Sequence, residues 1–212
     1  LISHQLQLPT PKWLEGTARA VVKRWARSFD EVWVPDLEPG PDSLSTEIKD
    51  ATASPKPIAL IGHTAKVIHL TFNADSTRLA SSSWDRRVGL WDVPNRQSIR
   101  FFQGHQGPVN AAEFHPTQPR LYSAGGDGHI RLWNLDTGEY VRSIIKNGFG
   151  INVMALSAEL NVLAYGGSNG VMKSVSLDES GPAIDLWVGG PPVLAIAIEP
   201  QSEKMAFGTA EG

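Results

Sequence analysis

The run LASSSWDRRVGLWDV, which begins at Leu79, returns 42 residues later as LYSAGGDGHIRLWNL from Leu121. The same offset sets Trp91 on Trp133, Asp85 on Asp127 and His63 on His105. A third step gives LAYGGSNGVMKSVSL from Leu163, and a fourth gives MAFGTAEG from Met205. A unit this short cannot bury both of its apolar faces alone, so recurrence at this spacing calls for a stacked or radial array.

Inside each unit the signals are those of short strands. The segments KVIHLTF, PVNAAEF, GINVMAL and PVLAIAI place Val67, Val109, Ile151 and Val193 at one position, and Phe72, Phe114, Leu156 and Ile198 at another. They are almost free of charge, as strands covered on both faces must be. A polar turn follows (NADSTR, HPTQPR, SAELN, EPQSEK), then a second strand ending in Ser or Gly and a tight turn at Asp-Arg or Asp-Gly. A third strand ends at the Trp, and DVPNRQ or NLDTGE turns the chain into a fourth.

Four short antiparallel strands per unit, with Gly62-His63 and Gly104-His105 ahead of them and Trp91-Asp92 on the third, resemble the WD-repeat (WD40) family of β-propellers. The resemblance runs from Pro57 to the end of the chain. It implies a mainly-β fold: a partial β-propeller of four-stranded antiparallel blades over residues 57–212, three blades and part of a fourth. In that family the repeat is out of phase with the blade, which makes Ile58 to Ile61 the counterpart of Arg100 to Gln103 and the outer strand of the ring's last blade. Seven blades would need about 290 residues. The expectation is therefore a longer protein, with missing blades or another chain closing the ring. An edge strand left open would be liable to pair between molecules.

His63, Ser81 and Asp85 are the residue types of a hydrolase triad. The second unit repeats them as His105, Ser123 and Asp127. An enzyme needs one triad, whereas a structural device is needed in every blade. The resemblance implies that Trp91 donates to Ser81, that Ser81 meets His63 and that His63 meets Asp85, with Trp133, Ser123, His105 and Asp127 doing the same; no catalysis is expected. In the third unit Asn147, Tyr165, Asn169 and Val175 stand at those positions, so its network is expected to be broken or rebuilt and its stability reduced. His69, His115 and His129 lack a metal-ligand spacing, and no phosphate-cradling GxxxxGK[ST] occurs. Gly125-Gly126-Asp127-Gly128 reads as a strand end and tight turn. Neither metal nor cofactor is expected.

Recognition in such propellers takes place on the rim where the tight turn and the start of the first strand are exposed. Carried over by position, the candidate partner-binding residues are Thr64, Lys66 and Trp84, then Gln106, Pro108 and Gly126, then Gly148, Gly150 and Ser168. Trp84 stands out because Gly126 and Ser168 occupy the same place in the other units. An exposed indole there is an anchor for a protein or peptide partner; the alternative is that it covers a neighbouring loop or Arg86.

A formal net charge of -3 offers no basic footprint, so a nucleic-acid partner is not expected. The chain has no cysteine for disulfides or thiolate metal sites, and no apolar run long enough to span a bilayer. A cytoplasmic location is expected.

Residues 1–56 differ in kind. LISHQLQL precedes a segment whose apolar Leu14, Ala18, Val21, Val22, Trp25 and Phe29 share one helical face, and Val32 and Val34 mark a strand that Pro35 ends. The order is a βαβ segment over 1–37, followed by a polar linker over 38–56. The basic stripe Arg19, Lys23 and Arg27 reads as a solvated face, or as a site for anionic lipid or nucleotide. LISHQL and FDEVWVPDLEPG together resemble the middle of a bacterial GT-B glycosyltransferase over about the first 45 residues. That resemblance implies the end of a Rossmann-like half, with His4 near an acceptor site or structural. It leaves a second reading, an accessory propeller attached to such an enzyme or a fusion of the two.

Overall fold

The computed structural model describes residues 33–34, 58–178, 181–199 and 204–211, and the chain divides into two units, Leu1–Ile61 and Gly62–Gly212. In the first unit β1 (Trp33–Val34) pairs in parallel with β2 (Ile58–Ala59). The strand expected at Val32 to Val34 is thus present at Trp33–Val34. The expected helix, its basic stripe, His4 and the linker lie outside the described residues.

The second unit is all β. Its first sheet holds β3 (Val67–Phe72), β4 (Arg78–Ser83), β5 (Arg87–Asp92) and β6 (Gln97–Gln103), joined antiparallel in that order. The second sheet repeats it with β7 (Val109–Phe114), β8 (Arg120–Gly125), β9 (His129–Asn134) and β10 (Tyr140–Lys146). The third has β11 (Ile151–Ser157), β12 (Val162–Gly167), β13 (Met172–Ser176) and β14 (Ile184–Trp187), and a two-stranded sheet of β15 (Val193–Glu199) and β16 (Lys204–Thr209) follows. These sheets are arranged like propeller blades, consecutive ones meeting through their first strands, β3 to β7 to β11 to β15.

Local chemistry explains the regularity. At the tight turn after each second strand, the amides of Arg86, Gly128 and Gly170 donate to the carbonyls of Ser83, Gly125 and Gly167. All three turn residues have positive φ, at 71°, 75° and 71°. Glycine adopts that conformation freely, whereas Arg86 does so at a cost. Two residues earlier, the amides of Trp84, Gly126 and Ser168, with Ala210 in the fourth unit, donate to the carbonyls of Lys66, Pro108, Gly150 and Pro192. A register shift follows the first residue of every first strand, at Val67, Val109, Ile151 and Val193. One bulge at one place in four sheets is a built feature of the unit.

The core lies between sheets. Val88, Leu90 and Phe102 of the first blade pack with Val109, Ala112 and Leu121 of the second. Ile130 and Leu132 of the second pack with Met154 and Leu163 of the third. Burying both faces of a sheet is what the charge-free runs anticipate. Phe114 is 8% exposed where the first blade covers it; Phe72, its counterpart on β3, is 49% exposed. No helix among the described residues is long and apolar enough to cross a membrane.

Candidate functional site

Two structures are built on the tight turns, a polar chain inside each blade and a rim outside it. In the first blade Trp91 Nε1 donates to Ser81 Oγ at 2.7 Å. Ser81 Oγ lies 2.7 Å from His63 Nε2, and His63 Nδ1 lies 2.8 Å from Asp85 Oδ2. Since Nδ1 faces a carboxylate it carries the proton, so the serine hydroxyl donates to Nε2 and accepts from the indole. Every polar atom of the chain is satisfied with a neutral imidazole. The second blade repeats the arrangement: Trp133 Nε1 to Ser123 Oγ at 2.7 Å, Ser123 Oγ to His105 Nε2 at 2.8 Å, and His105 Nδ1 to Asp127 at 2.9 Å.

The connectivity is that of a hydrolase triad, and burial decides its meaning. Ser81 and Ser123 are both 0% exposed. No substrate carbonyl can reach either oxygen, and each already receives an indole N–H. Each chain ties the second and third strands of its blade to the loop before the first strand and to the tight turn, a role in which a gap would strand buried polar atoms.

The carboxylates are held charged. Burial pushes Asp85 up, but the Arg87 guanidinium, the Thr64 amide and His63 outweigh it and bring its pKa to about 2. Burial likewise acts against Asp127, and His105 with the Gln106 and His129 amides holds it well below the usual carboxylate range. Burial lowers His63, against the pull of Asp85. The guanidinium partners come from different places: Arg87 lies two residues after Asp85, with Nη2 at 2.7 Å, and Arg131 lies four after Asp127, at 3.5 Å. Arg131 stands where the first blade has Gly89, whose absent Cβ would come within 2.7 Å of Ser81 Oγ. The second repeat thus brings an arginine to its aspartate from the position where the first has glycine. Sequence reasoning missed these two arginines because they share no repeat position.

The third blade is rebuilt. Asn169 Oδ1 still accepts from the Val171 amide, as Asp85 does from Arg87 and Asp127 from His129. Tyr165, 1% exposed, replaces the serine and joins Met154, Leu163 and Val175 in the core. Burial pushes its phenol up, with the Asn147 side chain beside it opposing; neither Asn147 Nδ2 nor the phenol reaches good hydrogen-bond geometry. Apolar packing substitutes for the polar chain.

Asparagines at one repeat position, Asn110 and Asn152, donate from Nδ2 to the carbonyls of Ile151 and Val193, 2.7 and 3.1 Å away on the next blade. Their 42-residue offset was a legible signal. Ile68 holds the corresponding place in the first blade.

On the rim, Trp84 is 49% exposed. Lys66 Nζ lies over its ring, 5.1 Å from the centroid, so the indole packs against the neighbouring loop that leads into β3. Thr64 and Gln106, at one repeat position in the first and second units, are exposed, their amides committed to Asp85 and Asp127 at 3.0 and 2.9 Å. Pro108 and Ser168 are exposed at the equivalent turns. The structure brings Lys66 and Trp84 into contact, through the ring and through the Trp84 amide donating to the Lys66 carbonyl at 2.9 Å. Among the described residues no three His, Cys, Asp or Glu side chains gather as a metal ion would require.

The family model "WD domain, G-beta repeat" matches residues 55–92 and 96–134, and those stretches carry WD40 repeats. The chain is 33% identical over 96 residues to COMPASS component SWD3 of Saccharomyces cerevisiae, covering 43% of this chain and 30% of that protein. It is 34% identical over 73 residues to a Notchless protein homolog of Arabidopsis thaliana, 34% of this chain and 15% of the relative. Over 40 residues it is 45% identical to a Periodic tryptophan protein 2 homolog of Schizosaccharomyces pombe, 19% of this chain and 5% of that one. The chain thus aligns with less than a third of each relative's length. Nothing in these matches supports the glycosyltransferase resemblance of the first 45 residues, or a bacterial source.

Proposed function

We propose that the chain is a non-enzymatic WD40 propeller module that binds a protein or peptide partner on the rim carrying Trp84. The observation that carries this reading is the indole itself: half exposed, at a position where the other blades manage with Gly126 and Ser168, and therefore not needed by the blade. A rigid aromatic side chain on an accessible rim is the type of residue that dominates interface energies. A relative named as a component, COMPASS component SWD3, is in keeping with it. Thr64, Lys66, Gln106, Pro108 and Ser168 form the rest of the surface, and the two polar chains hold it rigid. Further blades, from the rest of a longer protein or from another chain, complete the ring.

The test is affinity purification with the intact protein and its Trp84→Ala variant, matched for melting temperature and quantified by mass spectrometry. Specific co-purifying proteins should fall away with the variant. Unchanged recovery of every one of them would defeat the rim assignment.

A further inference from the structure

The two ends of the blades differ in charge. Strand direction puts the turns before each second strand and after each third strand at one end, and the tight turns with the starts of the first strands at the other. Equivalent positions lie side by side, since Thr71 Oγ1 reaches Glu113 and Asn110 reaches Ile151 on the neighbouring blades. Among the described residues the exposed carboxylates Asp75, Asp136, Glu139, Glu159 and Asp178 occupy turns of the first kind and Glu199 ends β15 at the same end, while Asp185 on β14 is paired with Lys173 at 2.8 Å. At the rim end Asp85 and Asp127 are buried and compensated, their side chains 3% and 7% exposed. Lys66 over the Trp84 ring and Arg86, two residues along the same turn, are exposed there, and Glu211, three blades on, is an exposed carboxylate at the equivalent turn.

Lys66 also settles what Trp84 can receive. An aromatic face recognises a cation through its negative quadrupole, but Lys66 already sits on this one. A second cation would meet the ammonium and the Arg86 guanidinium. An anionic group would meet two donors beside an apolar plate, with no exposed carboxylate of the same blade rim to repel it. Resting on the rim reading above, we infer that the first-blade corner of the rim recognises an acidic peptide, a Glu or Asp side chain set between Lys66 and Arg86 with a neighbouring apolar residue against Trp84. A polynucleotide fits less well, because two cations on a chain of net charge -3 make a carboxylate-sized site and not a phosphate track.

The experiment uses the whole chain and fluorescein-labelled peptides of equal length built from Glu, Leu and Ser, from Gln, Leu and Ser, and from Lys, Leu and Ser, with an oligo-dT strand beside them, read by anisotropy. The Glu set should bind best, lose affinity as salt rises, and weaken about tenfold with Lys66→Glu. Arg86→Gly should weaken it too; this variant installs the residue that Gly128 and Gly170 supply at the same positive-φ position, so loss of folding cannot explain its effect. Equal binding of the Gln or Lys set, still dependent on Trp84, would overturn the acidic preference while leaving the rim reading intact. Absence of binding by every peptide set would overturn both. Tighter binding of oligo-dT through Lys66 and Arg86 would replace the peptide with nucleic acid.

Discussion

At the scale of single residues, a repeat lets one sequence run its own controls. Trp133 is 2% exposed, donates to Ser123 and packs against Phe102 at 5.3 Å and Tyr140 at 5.7 Å between ring centroids. Val175, at the same position one blade on, is buried among apolar side chains with no hydrogen bond to lose. Trp133→Ala empties a large site and removes the donor that Ser123 faces, whereas Val175→Ala removes two methyl groups. The first should destabilise more than the second by on the order of 2 kcal/mol, and chemical unfolding of both variants measures the difference. Comparable losses would mean that the polar chain contributes no more than packing. The residues of that chain were legible because they recur at one offset. The Arg87 and Arg131 guanidinium contacts were not, because each blade supplies its cation from a different strand position, and spacing alone does not show which side chains converge.

At the scale of elements, the first strands do more than stack. Glu113 on β7 sits against β3, where Thr71 donates to it at 3.2 Å and His69 Nε2 lies 3.7 Å away. Burial pushes the Glu113 carboxyl up to about 7, with Thr71 opposing, and burial lowers His69, so the imidazole offers no full charge in return. A carboxyl with its folded pKa above the unfolded value favours the folded state while protonated. Its contribution is complete below pH 4.5 and fades as pH rises toward about 7. The full shift corresponds to at most about 3 kcal/mol, reduced by the water that reaches a side chain 22% exposed. Asp85 and His63, both lowered, act in the opposite sense and lose stability as pH falls. Unfolding free energies of the wild type and Glu113→Gln between pH 4.5 and 7.5 should therefore differ in slope, the variant lacking the decline on the alkaline side; parallel curves would refute the buried carboxyl. The strands themselves were readable from their nearly charge-free apolar runs and the turn residues between them. Glu113 escaped notice because its neighbours come from another blade, 42 residues away.

At the scale of the whole blade array, the pair Phe72 and Phe114 measures what a neighbouring blade does. One residue type at one repeat position goes from 49% exposed on β3 to 8% on β7, and Leu70 at 42% lies beside Phe72 while Ala112, its counterpart, is fully covered. The first blade thus presents a face shaped to take another sheet, and the apolar spacing of Leu70 and Phe72 announces it in the sequence. What the repeat could not announce is the covering element, since every unit carries the same face and only the packed structure shows, among the described residues, that the exposed one is on β3. Apolar surface of this kind drives association when no blade covers it. Sedimentation velocity on the 212-residue chain should show concentration-dependent assembly. Phe72→Lys should shift it toward monomer with little loss of folding, because the substituted side chain is half in water already. Assembly that persists unchanged in this variant would place the contact elsewhere, with the exposed apolar residues Ile184, Trp187 and Val188 on and after β14 as the next surface to substitute.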